Sequence, residues 1–141
     1  MSTTNHTQHQ LEDVKVNVKI KLAALWTCFM FLYIYVDYYH LYMPDALNQI
    51  LAGKVFVFDI SWKFLVIALI STSIPALMIF LSVVLPAKVN RVVSITIAMI
   101  YVPYTLFNLA GEAWIHMIFG AAVEVTLLAL IILYSWKWPR A

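Results

Sequence analysis

Charge is scarce in this chain of 141 residues: nine Lys/Arg and seven Asp/Glu make it only 11% charged, against 64% hydrophobic. Soluble domains carry about 25% charged and roughly 45–50% apolar residues, so the composition lies far outside the globular range. A soluble fold of this length cannot hide so much apolar surface, and the excess needs lipid. The net charge of +2 is too small and too dispersed for nucleic-acid binding. The single cysteine, Cys28, excludes an intrachain disulfide and a multi-cysteine metal site. Within its apolar run it reads as a buried, inert thiol. Three glycines leave little material for a phosphate-cradling loop, and neither a serine-nucleophile elbow nor a zincin motif is present. No cofactor is expected from these motifs.

What the chain has instead is long apolar runs. A hydrocarbon layer of about 30 Å needs about 20 helical residues. Four segments meet that length, approximately 20–43, 62–85, 92–111 and 113–135. The expected fold is therefore all-α: an integral membrane four-helix bundle over 20–138, preceded by a polar tail over 1–19. "MSTTNHTQHQLED" has no apolar core of a signal peptide, so the first run is read as a retained span, and His6 and His9 as solvated tail. In the first loop, "PDALNQILAG" reads as a short interfacial helix opened by proline and closed by Gly53, and "KVFVFDI" as an extended or interfacial piece. Interior Pro75 and Pro103 each suggest a kink whose freed carbonyl needs a partner, for Pro75 in the neighbourhood of Ser71. A tight turn near Leu109–Gly111 separates the last two spans.

Basic residues set the orientation. Lys15, Lys19, Lys21, Lys88, Arg91, Lys137 and Arg140 fall on one side of a four-span arrangement, and only Lys54 and Lys63 on the other. Both termini are expected in the cytoplasm and the protein in the cell's inner membrane, multi-pass. Trp26, Trp62, Trp114, Trp136 and Trp138 fall near span ends, where interfacial anchors belong.

The few polar residues inside the spans carry whatever function there is. Tyr33, Asp37 and His40 share a face toward the outer end of the first span. Glu112, His116, Gly120 and Glu124 recur every four residues as one stripe down the fourth. Ser94, Tyr101, Thr105 and Asn108 form a similar stripe in the third, and Ser71, Thr72 and Ser73 lie midway along the second. Such stripes face the bundle interior, because a charge in lipid at mid-depth costs ~2.5 kcal/mol or more. Glu124 lies ~18 Å deeper than Glu112 at 1.5 Å per residue, close to the membrane centre. There it is either a ligand, ion or proton site or a neutral helix-to-helix hydrogen bond, with Tyr33, Tyr101 and the Ser71–Ser73 cluster within reach. Asp37 is a second candidate near the outer mouth, against a structural helix-end role. His40 and His116 read as interfacial or satisfied polar groups, and Glu112 as a first-turn acid favoured by the helix dipole. The tyrosines read as an aromatic belt. Asp37, His40, Glu112 and His116 also form a weak metal set, lacking paired Glu-x-x-His motifs.

At "LAALWTCFMFLYIYVD", "MPD", "VLPAKVNR" and "AAVEVTLLALIILYSWKW" the chain resembles domain-of-unknown-function family 6326, a group of small bacterial four-span membrane proteins. The resemblance covers about Lys21 to Trp138, implies a four-helix membrane protein, and puts Asp37 and Glu124 at the family's acidic motifs. His40 and "DYYH" lie outside those motifs. A looser likeness to DoxX-like four-helix membrane proteins points to the same architecture. The leading functional reading is a non-enzymatic membrane protein, a homodimer in the lipid bilayer. It binds a small apolar or lipid ligand, or a proton, in a polar pocket around Glu124 with Asp37, Tyr33, Tyr101 and His116. The alternatives are a membrane-embedded enzyme acting on a lipid or quinone, and an accessory subunit of a larger membrane complex.

Overall fold

The computed structural model describes residues 14–110 and 113–139. Expectations about His6, His9, Gly111, Glu112 and Arg140 lie outside the described residues. The order of elements is α1 (Val18–His40), α2 (Ala46–Leu51), β1 (Lys54–Val55), β2 (Phe58–Asp59), α3 (Trp62–Val84), α4 (Ala87–Phe107) and α5 (Ile115–Trp136). Four of these, α1, α3, α4 and α5, are long and apolar enough to cross a membrane. Among the described residues the protein is all-helical apart from one small hairpin, and it is of multi-pass membrane type.

Local chemistry starts two of the long helices. Asn17 accepts the amide of Lys19 at 2.9 Å, and Ser61 accepts that of Phe64 at 3.2 Å, satisfying N-terminal donors that a helix leaves open. Pro86 caps α4, so the helix begins at Ala87 and takes in Lys88 and Arg91, which sequence spacing placed in a loop. A proline at this point needs no amide partner and has its φ set in advance.

The helices are inside-out relative to a soluble bundle. On α4 the buried positions are Asn90, Ser94, Ala98, Tyr101 and Thr105, and on α5 Gly120, Ala121, Glu124, Leu128, Ile131 and Ser135. Steps of three and four keep each set on one face. The outward faces are apolar: Leu65, Ile67, Leu69, Leu77 and Phe80 of α3 are all exposed. Lipid is as apolar as these side chains, so association rests on close packing and interhelical hydrogen bonds. One such bond set joins α3 to α4, where the Asn90 amide donates to the Ser82 carbonyl and accepts from the Ser94 hydroxyl at 3.0 Å.

α1 packs along α3 and α5, and α5 along α4, whereas consecutive α3 and α4 touch only sparingly. The apolar core runs through Leu22, Trp26, Phe29, Met78, Leu128 and Ile131. On α3 the buried positions are Pro75, Met78 and Ser82 only, all in its second half. The bundle is thus closed at the end holding the α1 N-terminus and open at the hairpin end. At the closed end Lys19 donates to the Val83 carbonyl at 3.2 Å, and Arg91 stands over the Trp136 ring. Lys19 there meets the negative end of the α3 dipole.

Three expectations change. Trp26 is fully buried rather than interfacial, because it lies on the α1 face that meets the other helices. Cys28 is exposed on the opposite face. The hydroxyls of Thr72 and Ser73 bond back to carbonyls of their own helix and do not reach Glu124.

Candidate functional site

Asp37 sits where three hollows meet at the open end. Near the end of α1, one turn beyond Tyr33, it lines a cavity of about 150 Å³ with His40, Gln49 and Asn108. A second, about 30 Å³, places it with Tyr33, Thr105 and Glu124. A third, about 620 Å³, spreads between α3 and α4 beneath the hairpin. Asp37 is accessible from these spaces, whereas Glu124 is 3% exposed.

The room beside Glu124 is the smallest of the three. About 10–15 Å³ suffices for one water, so 30 Å³ admits water or a proton carrier and nothing larger. Thr105 faces Glu124 across that space, and its buried hydroxyl has no hydrogen-bond partner. A polar, roomy and undersatisfied spot of this kind suits an ordered water. Glu124 is positioned there by the helix below it: a Cβ at Gly120 would collide with Val36 Cγ2, so glycine lets α5 approach α1 closely.

A hydroxyl chain leads from this cluster toward α3. The Tyr33 and Tyr104 hydroxyls lie 3.2 Å apart, with their rings stacked at 6.4 Å. Tyr104 in turn lies 3.3 Å from the Ser71 hydroxyl, which donates to the Ala68 carbonyl at 2.8 Å. Tyr101, one turn before Tyr104, turns its hydroxyl to the Ser71 carbonyl.

The structure brings Asp37, Tyr33 and Glu124 together, with His40 beside Asp37. Tyr101 supports the cluster from behind, its ring edge-on to Phe29 at 6.0 Å. His116 does not join them: it faces a separate, mostly apolar hollow with Met43, Pro44 and Phe119, and its Nε2 is buried without a partner. The stripe through Gly120 and Glu124 therefore divides, because residues near the start of α5 have run past the end of the facing helix. Among the described residues no three His, Cys, Asp or Glu side chains gather as a metal-binding group, Glu112 lying outside them.

Sequence reasoning missed Tyr104, the centre of the hydroxyl chain, although it stands one turn beyond Tyr101. It also missed Phe56, which lines both larger cavities from the hairpin. Phe56 has φ 55°, a left-handed conformation that a bulky residue adopts only under strain. No composition signal points to such a position.

Residues 10–141 match the model of a family described as a family of unknown function, DUF6326. No curated protein and no solved structure matches the chain.

Proposed function

The chain belongs to DUF6326, whose function is unknown, and from that premise we propose that it is a non-enzymatic inner-membrane protein that binds a small ligand at the outer, open end of its bundle. The carrying observation is the position of Asp37, shared by all three hollows, one of which also holds Glu124. An acid held at a meeting point of cavities in a membrane bundle is a site for a ligand or proton by default. The two larger hollows have room for a ligand beside Asp37, and the smallest gives Glu124 contact with water or protons. The surroundings of Asp37 and Glu124 are tyrosine, threonine, His40, Gln49, Asn108 and apolar side chains, with no serine or cysteine lining the two smaller hollows, which favours binding over catalysis. The cations Lys19, Lys21 and Arg91 at the closed end support a cytoplasmic position for both termini and an outward-facing cavity.

The test is thiol labelling in spheroplasts, with Cys28 first replaced by serine. A cysteine at Asn108, inside the cavities, is expected to react with a membrane-impermeant maleimide added from outside, as one at Lys54 of the hairpin does. Labelling at 54 with none at 108 would show that the cavity is closed to water, and labelling of both only from the cytoplasmic side would invert the orientation.

A further inference from the structure

The largest hollow has a chemistry of its own. α3 and α4 are joined by Leu85 and Pro86 at the closed end and separate toward the hairpin, leaving the space of about 620 Å³ between them. That volume lies within the range of about 300–1,000 Å³ of sites for drug-sized ligands. Its side walls are Phe64 and Ile67 of α3 and Phe107 of α4, all apolar. Ile67 and Phe107 are 67% and 58% exposed, so the walls continue onto the lipid-facing surface without a polar barrier. The hairpin closes the top, its Phe58 stacked on Phe64 at 6.0 Å.

The charged groups are few and of one sign, beside the neutral Ser61, Ser71 and Asn108. Asp37 and Asp59 both line the space, together with Tyr33 and Tyr104, whose rings are stacked on one another. Among the described residues no Lys, Arg or His lines this space. Lys54 pairs across the hairpin with Asp59 but does not line the space, and Lys63 stands over the Trp62 ring at 5.6 Å. An anionic headgroup beside Asp37 would meet a carboxylate with no cation among the lining residues. A neutral lipid would offer Asp37 no opposite charge and leave an ionised carboxylate there with hydrogen bonds alone, which is costly at membrane depth. A cation is stabilised both by the carboxylate and by the faces of aromatic rings, more strongly where water is excluded.

We infer that the gap between α3 and α4 is a binding site for a lipophilic organic cation, an onium or amine bearing apolar groups, reached sideways from the hydrocarbon layer. Its charge sits against Asp37 and the two tyrosine rings, and its apolar groups lie on Phe64, Ile67 and Phe107. The inference rests on the reading of the open end as a ligand site and specifies the charge of the ligand and its path.

The experiment uses the full chain in lipid nanodiscs and measures saturable binding of radiolabelled tetraphenylphosphonium by scintillation proximity, with empty nanodiscs as the blank. Unlabelled dodecyltrimethylammonium is expected to displace it and the neutral triphenylphosphine oxide to fail. Asp37→Asn, and Ala68→Trp, which fills the gap from α3, are each expected to weaken binding about tenfold or more. Asp45→Asn, outside the gap, leaves it unchanged. Unfolding curves for each variant show that it is folded, and if Asp37→Asn is not, Asp37→Glu with Ala68→Trp carries the test. Equal displacement by the neutral oxide, with Ala68→Trp still inhibiting, would keep the gap as a ligand site and overturn its preference for cations. Sensitivity to Asp37→Asn without sensitivity to Ala68→Trp would move the cation to the cavity beside His40 and overturn the assignment to the gap. Absence of saturable binding would overturn the inference alone, since the ligand-site reading stands or falls on thiol labelling at 108.

Discussion

The hydroxyl of Tyr101 on α4 donates to the Ser71 carbonyl of α3, the carbonyl that Pro75 deprives of its helical donor. Proline has no amide hydrogen, so the carbonyl four residues earlier is left open. In hydrocarbon no water can take the missing place. A defect in one helix thereby becomes a link between two that otherwise touch sparingly, at the base of the gap they enclose.

Tyr101→Phe is expected to destabilise the bundle by roughly 1–2 kcal/mol, since it strands a carbonyl in the bundle. In a Pro75→Ala background, where the helix supplies its own donor, the same change should cost markedly less. A double-mutant cycle of unfolding in detergent measures the coupling. Additive effects would mean that the tyrosine does not serve the proline's carbonyl.

Gly120→Ala is expected to cost about 1–3 kcal/mol, because the new methyl collides with Val36 and forces α1 from α5. Combining it with Val36→Ala should restore most of the loss. Unfolding midpoints of the two single variants and the pair decide it, and a pair as unstable as Gly120→Ala alone would place the collision elsewhere.

Glu124→Gln should leave stability within about 1 kcal/mol, since the amide has nearly the same shape and remains a hydrogen-bonding group. Its acid–base infrared difference spectrum should lose one buried carboxyl band. An unchanged spectrum would reduce Glu124 to a structural hydrogen-bonding group.

Phe56→Gly relieves the backbone strain at φ 55°, worth roughly 1–3 kcal/mol locally, but removes a wall shared by the two larger cavities. The variant is therefore expected to be no less stable than the parent, yet to label faster at a cysteine placed at 108. Slower labelling would show that the ring does not separate the cavities.

Much of the architecture was legible in the residues. Four apolar runs of about 20 residues, interrupted by "LPAK" and "LAGEAW", leave few alternatives to four spans when lipid is the solvent. Asp37 and Glu124 stood out because an acid inside such a run is costly. The limit lay in which faces meet. His116 shares the spacing of Glu124 but lines another hollow, and Trp26, eight residues into α1, is core rather than anchor.

By itself the sequence determined the solvent, the number of spans and the rarity of acids within them, all of which depend on composition along the chain. Only the tertiary structure decided that α3 stands away from α4, that Tyr104 joins Tyr33 to Ser71, and that the room lies beside Asp37 rather than Glu124. Helical periodicity states which residues share a face. It cannot state how closely two faces approach, because that distance is set by side chains on both helices at once, a glycine against a valine in one place and a proline's open carbonyl in another.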